Sequence, residues 1–150
     1  MESVLLTSSR LPSNAQPHSN DLITSLAHFA AHHEQQSRYT SAELVTRRLM
    51  EYHKRWGEAD PRYLNAVMNW ASACRHVGSH ENARNRFKAV ALKRTELLGP
   101  SDAATLRSMM AWASCECSLK QYAESEKIFR DTSRYFEMFC ESKPRSCPRV

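Results

Sequence analysis

Glycine is scarce in this sequence, with three residues in 150, and runs that alternate β-branched with polar residues are missing. Few positions can then take the left-handed turns that hairpins need, which excludes a β-sheet architecture as the leading reading. Nothing approaches the roughly 18 consecutive apolar residues of a membrane-crossing helix, so no membrane partner is expected. The opening Met1-Glu2-Ser3-Val4-Leu5-Leu6 places an acid where a secretory signal needs a base, and its apolar run is too short for a signal core. Cysteine is odd in number, at Cys74, Cys115, Cys117, Cys140 and Cys147. These lie in or beside expected helices, unlike the loop framework of a disulfide-stapled secreted domain, and a reducing, cytoplasmic setting is expected. Excess charge is small as well: 21 Lys+Arg against 16 Asp+Glu leave +5, with a pI near 9.1. The basic clusters, Arg47, Arg48, Lys54 and Arg55, then Arg84, Arg86, Lys88, Lys93 and Arg94, read as solvated helix faces. A basic helical surface for nucleic acid is the competing reading and is disfavoured.

What is present is helical. Residues 1–20 hold Pro12, Pro17, Asn14 and several serines without periodicity and read as a flexible leader; residues 141–150, with Pro144 and Pro148, read as a flexible tail. Between them, Leu22, Leu26, Phe29, Ala30 and His33 follow the spacing of one helix face, as do Leu64, Val67, Met68 and Ala71, and Leu106, Met109, Met110 and Ala113. Each set marks the first helix of a pair. Tyr39, Ala42, Val45 and Leu49, then Phe87, Val90 and Ala91, then Tyr122, Ile128, Phe129 and Phe136 mark the second helices. Asp60-Pro61 and Gly99-Pro100 break the chain between pairs, with Asp60 and Ser101 or Asp102 available as caps. Six helices are expected near 21–36, 39–56, 61–77, 80–98, 102–119 and 121–139.

An offset of 42 superposes Gly57 on Gly99, Asp60 on Asp102, Leu64 on Leu106, Trp70-Ala71-Ser72 on Trp112-Ala113-Ser114 and Phe87 on Phe129. An offset of 41 then carries Ile23 onto Leu64, Phe29 onto Trp70 and Ala30 onto Ala71. The spacing divides residues 21–140 into units of about 21–56, 57–98 and 99–140. One helix pair cannot bury its own apolar face, so such repetition predicts an all-α solenoid of about three antiparallel helix pairs. The small residue after each aromatic, Ala30, Ala71 or Ala113, lets the paired helix approach beside a bulky anchor, and Trp70 and Trp112 are expected to be largely buried.

The third unit carries the most specific pattern: Leu98-Gly99-Pro100-Ser101-Asp102-Ala103-Ala104-Thr105-Leu106, then Trp112-Ala113, then Tyr122-Ala123-Glu124-Ser125-Glu126. It resembles the tetratricopeptide repeat family, in particular the longer-period units of kinesin light chains and of many fungal repeat proteins. The resemblance spans about residues 21–140 and implies a right-handed solenoid. The family's glycine between the paired helices falls on Gly78, but on Ser37 and Lys120 in the other units, where a left-handed backbone is strained.

The resemblance also implies a function: a non-enzymatic interaction module or adaptor that holds a peptide or helical protein partner along the concave face of its first helices. Carried across residue by residue, the groove comprises Asn65, Met68, Ser72, Arg75 and His76 in the second unit and Arg107, Met110, Ser114, Cys117 and Ser118 in the third. Thr24, Ala27, Ala31, Glu34 and Gln35 take those places in the first. Arg75 and Arg107 suit an acidic partner, Asn65 a peptide backbone, and Met68 and Met110 apolar groups. A regulatory repeat segment of a larger effector system is a further alternative. Tyr135, Phe136, Met138 and Phe139 crowd the last helix, so self-association through it is a further expectation.

No catalytic constellation emerges. His32-His33-Glu34 lacks the second histidine of a zinc-protease helix, since the position four after His33 is Ser37. His28 and His32 share a face but have no third ligand nearby, and Cys115 and Cys117 point about 200° apart on one helix. Neither metal nor cofactor is expected.

Overall fold

The computed structural model describes residues 16–142, with side-chain positions from residue 23 onward. It is all-α, with no strand among the described residues. Helices α1 (Gln16–Gln35), α2 (Tyr39–His53), α3 (Pro61–Val77), α4 (His80–Leu98), α5 (Ala103–Ser118) and α6 (Tyr122–Ser142) follow in order, and a 3₁₀ turn at Lys54–Trp56 extends α2. Each helix packs against the next one in sequence, from α1 on α2 through to α5 on α6. None is long and apolar enough to cross a membrane.

The sequence-derived boundaries hold to within a few residues, with two corrections. Residues 16–20 belong to α1 and not to a leader, because Pro17 falls in the first turn, where a missing N–H costs no helical bond. Glu141 and Ser142 complete α6 rather than opening a tail. The rest of the expected leader and tail, 1–15 and 143–150, lies outside the described residues.

The helix ends repeat the same backbone geometry. Asp60 and Asp102 sit extended before α3 and α5, at φ −67° and −69°, and each carboxylate accepts the amide N–H two residues on, from Arg62 and Ala104. Gly57 and Gly99 precede them with φ of 99° and 89°. Between paired helices the chain turns through a left-handed residue three times, at Ser37 (φ 59°), Gly78 (φ 97°) and Lys120 (φ 61°). At each, the following amide closes onto a carbonyl five residues back: Arg38 to His33, Ser79 to Cys74 and Gln121 to Glu116, at 2.8 to 2.9 Å. These are Schellman closures, which satisfy carbonyls that a helix end leaves open. The left-handed turns at Ser37 and Lys120 are therefore present, although neither residue is glycine.

The main core joins α3, α4, α5 and α6 through Ala71, Cys74, Ala83, Phe87, Ala91, Trp112, Ala113, Cys115 and Ile128. Ala42, Ala71, Ala83 and Ala113 have no exposed surface, as the close approach of paired helices demands. The aromatic anchors behave less uniformly. Trp112 is 9% exposed, whereas Trp70 is only half-buried and Phe29 is 50% exposed, contrary to their expected role as equal core anchors. Trp70 lies in a cleft between α2 and α4, where its Nε1–H donates to Glu43 Oε1 at 2.8 Å and the Arg86 guanidinium covers its ring.

Candidate partner-binding face

The groove residues expected from the sequence lie on α1, α3 and α5, those of the second and third units on α3 and α5. Arg75, on the last turn of α3, donates from Nη1 to the Ser114 Oγ of α5 at 3.3 Å, so two positions expected to line one groove do meet. Ser72 and Ser114 are half-buried, and Arg107 is exposed one turn beyond the start of α5. His76 is exposed but stacks flat on Tyr39, with ring centroids 4.7 Å apart. Met68 is partly buried against the core, whereas Met110 is 53% exposed and lines a cavity between α5 and α6.

Asn65 is not free to meet a peptide backbone through its carbonyl. Its Oδ1 accepts from Arg94 Nη2 at 2.6 Å, and Arg94 Nη1 donates to Ala104 O at 3.1 Å and Ser108 Oγ at 2.8 Å. One guanidinium thereby ties α3, α4 and α5 together. Arg94 is 6% exposed, which corrects its reading as part of a solvated basic cluster. The reason is positional: Phe87, Val90, Ala91 and Arg94 recur at i, i+3, i+4 and i+7, so Arg94 falls on the buried face of α4. That periodicity was the signal that could have found it. Burial lowers its pKa, Arg107 nearby lowers it further, and Asp102 opposes them. Among the described residues the ion pairs are Arg48–Glu51, Arg62–Asp60, Lys93–Glu96 and Arg130–Glu126. Arg75, Arg94 and Arg107 thus stand around the α3–α5 junction outside any ion pair among the described residues, although Asp102 is near enough to act on Arg94.

A second recess, about 230 Å³, opens where Ile23 and Ala27 of α1 face Asn65, Ala66 and Asn69 of α3, with His53 and Arg62 at its rim. Burial lowers the His53 pKa, with Arg62 and Arg55 adding to the effect and Asp60 opposing it. The recess is small and mixed in polarity, suited to a side chain rather than to an enclosed ligand.

The remaining chemistry-bearing groups are engaged structurally. Cys74 and Cys115 are buried, which pushes both thiols up, so they stay protonated near neutral pH. Cys117 is a free, exposed thiol, and Cys140 is disulfide-bonded. Cys115 and Cys117 thus lie on different faces of α5. His32 bonds to Gln36 at 2.9 Å, and no cluster of metal-ligating side chains occurs among the described residues. Two acceptors escaped the sequence reading: half-buried Glu43, which holds Trp70, and buried Glu116, which takes the Trp112 Nε1–H at 2.8 Å. Glu116 stands four residues after Trp112, a helical spacing that brings the two side chains together. Neither protein-family models nor curated protein sequences give a match to this chain.

Proposed function

We propose that this chain is a tetratricopeptide-like solenoid of three helix pairs that acts as a non-enzymatic interaction module, holding an acidic peptide or helix across α3 and α5. The observation that carries the reading is the set of three arginines at the α3–α5 junction, Arg75, Arg94 and Arg107, none of which meets a carboxylate. A half-buried guanidinium such as that of Arg75 forms stronger hydrogen bonds with a carboxylate than with neutral groups. Arg75 spends one donor on Ser114 and keeps the others. Arg107 is exposed, and Arg94 supplies positive potential from behind Asn65.

The recurrence of cap and turn geometry at offsets of 41 and 42 supports the solenoid part of the proposal, since each repeat places its first helix in the same relation to its second. The nucleic-acid alternative is weakened by the second-helix clusters: Arg94 is buried, Arg86 covers Trp70, and Lys88 lies over Trp112. An array of acidic, neutral and basic peptides probed with the full chain tests the function. Retention of acidic peptides by the wild type, and their loss from a chain carrying Arg75→Ala and Arg107→Ala, is the expected result. Equal retention by both chains would remove the groove assignment.

A further inference from the structure

Phe87, Ala91 and Arg94, spaced i, i+4 and i+7 along α4, are buried, and α5 covers them: Phe87 and Ala91 share a core with Trp112 and Ala113, and Arg94 bonds to Ala104 and Ser108. Forty-two residues later stand Phe129, Ser133 and Phe136 of α6, all exposed, with Phe136 at 52%. With Leu106 and Met110 of α5 they line an open, mostly apolar cavity of about 440 Å³. It is the seat that α5 fills one unit earlier, left without its helix among the described residues.

The other half of that interface is exposed at the opposite end of the molecule. Helix α5 presents Ser108, Trp112 and Cys115 to its seat, and all three are buried. Eighty-three residues earlier, α1 carries Ser25, Phe29 and His32 at the same spacing, all exposed. Even the cation over the aromatic ring has its counterpart. Lys88 lies 5.4 Å from the Trp112 ring centroid, and its equivalent beside the open seat is Arg130, exposed and paired with Glu126 at 2.5 Å. The chain thus holds both faces of an interface it already forms internally, each exposed among the described residues, and on opposite ends.

We propose that this chain self-associates head to tail, the α1 face of one copy, centred on Phe29, seating in the α5–α6 groove of the next, with Arg130 over the Phe29 ring. The contact is heterologous, so each added copy leaves one free seat and one free α1 face, and assembly continues past the dimer. It uses neither Arg75 nor Arg107 and stands independently of the groove reading.

Sedimentation of the full chain from ~1 µM to ~1 mM tests this, that range spanning the affinities expected for a small interface. The wild type should show an average mass that rises through dimer and trimer. Phe29→Gln and Phe136→Gln change exposed residues on helices, so circular dichroism should find both variants as helical and as heat-stable as the wild type. Each variant alone should self-associate about thirtyfold more weakly, the loss typical of removing an aromatic anchor. An equimolar mixture should form a dimer that does not grow, because Phe29→Gln retains an intact seat and Phe136→Gln an intact α1. A wild type that stays monomeric throughout overturns the proposal. So does a Phe29→Gln variant that dimerises like the wild type, since α6 would then pair with itself or with another segment.

Discussion

Ala71 and Ala113 have no exposed surface and sit within the main core, so a larger side chain has nowhere to go without moving a helix. Ala71→Leu and Ala113→Leu should each destabilise by about 1–3 kcal/mol through overpacking, read as a lower urea midpoint with an unchanged slope. Arg94 presents the opposite balance. Its guanidinium is buried with three neutral acceptors and no carboxylate, so the bonds it makes stand against the cost of desolvating a charge. If Met replaces it, Ser108 keeps its own bond to Ala104 O, and Asn65, which is exposed, turns to water. Arg94→Met should therefore change stability by less than about 1 kcal/mol, whereas a loss of several kcal/mol on urea unfolding would show that the charge holds α3, α4 and α5 together. Arg94 also marks what a residue-by-residue scan loses. Its type suggests solvent and its helical phase dictates burial, and phase decides.

Helix ends were the most legible feature of this sequence, because Asp-Pro, Gly-Pro and the recurring spacing are chemical stop and start signals with few alternatives. The start of α1 was read late, since Pro17 marks a first turn as readily as it marks a loop. Ser37 and Lys120 pay the left-handed strain that Gly78 avoids, and nothing lies within 4 Å of a Cβ added at Gly78, so the difference is conformational alone. Ser37→Gly and Lys120→Gly should each stabilise by about 0.5–1 kcal/mol, and Gly78→Ala should cost a similar amount, all measurable by thermal unfolding. The cap of α3 responds to acid. Hydrogen bonds from the Arg62 side chain, which outweigh a slight desolvation, hold the Asp60 carboxyl at about 2 against an ordinary 3.8. A depressed folded-state pKa gives stability that is present above pH 3.8 and lost as pH falls toward 2. Asp60→Asn keeps an acceptor for the Arg62 amide but cannot titrate, so the acid limb of its stability profile between those values should be shallower than that of the wild type. An unchanged limb would place the acid sensitivity elsewhere.

At the scale of the molecule, the order and pairing of helices followed from periodicity, but the aromatic anchors did not behave alike: Trp70 of the middle unit is half-buried, whereas Trp112 of the last is buried. Phe29 has the same local sequence logic as Trp112 and five times its exposure, 50% against 9%. The groove divides in the same way. Its register placed Arg75 within reach of Ser114, yet it could not foresee that Asn65 is taken by Arg94 from a different helix, a contact 29 residues away in sequence. The face proposed for a partner is therefore cationic rather than amide-rich. If an acidic peptide lies across α3 and α5, Arg75→Ala with Arg107→Ala should weaken its binding by about 1–3 kcal/mol, each arginine losing a charge-assisted bond. Lys54→Ala with Lys127→Ala removes the same formal charge from exposed sites on other helices, and should lower mainly the salt-dependent association rate. Calorimetry at low and moderate salt separates the two: the arginine pair's deficit should persist in part when salt is raised, because a contact bond at half-buried Arg75 is screened less than steering between exposed charges. Equal deficits from both pairs, each vanishing at moderate salt, would mean that the +5 chain attracts acids over its whole surface and has no groove that selects them.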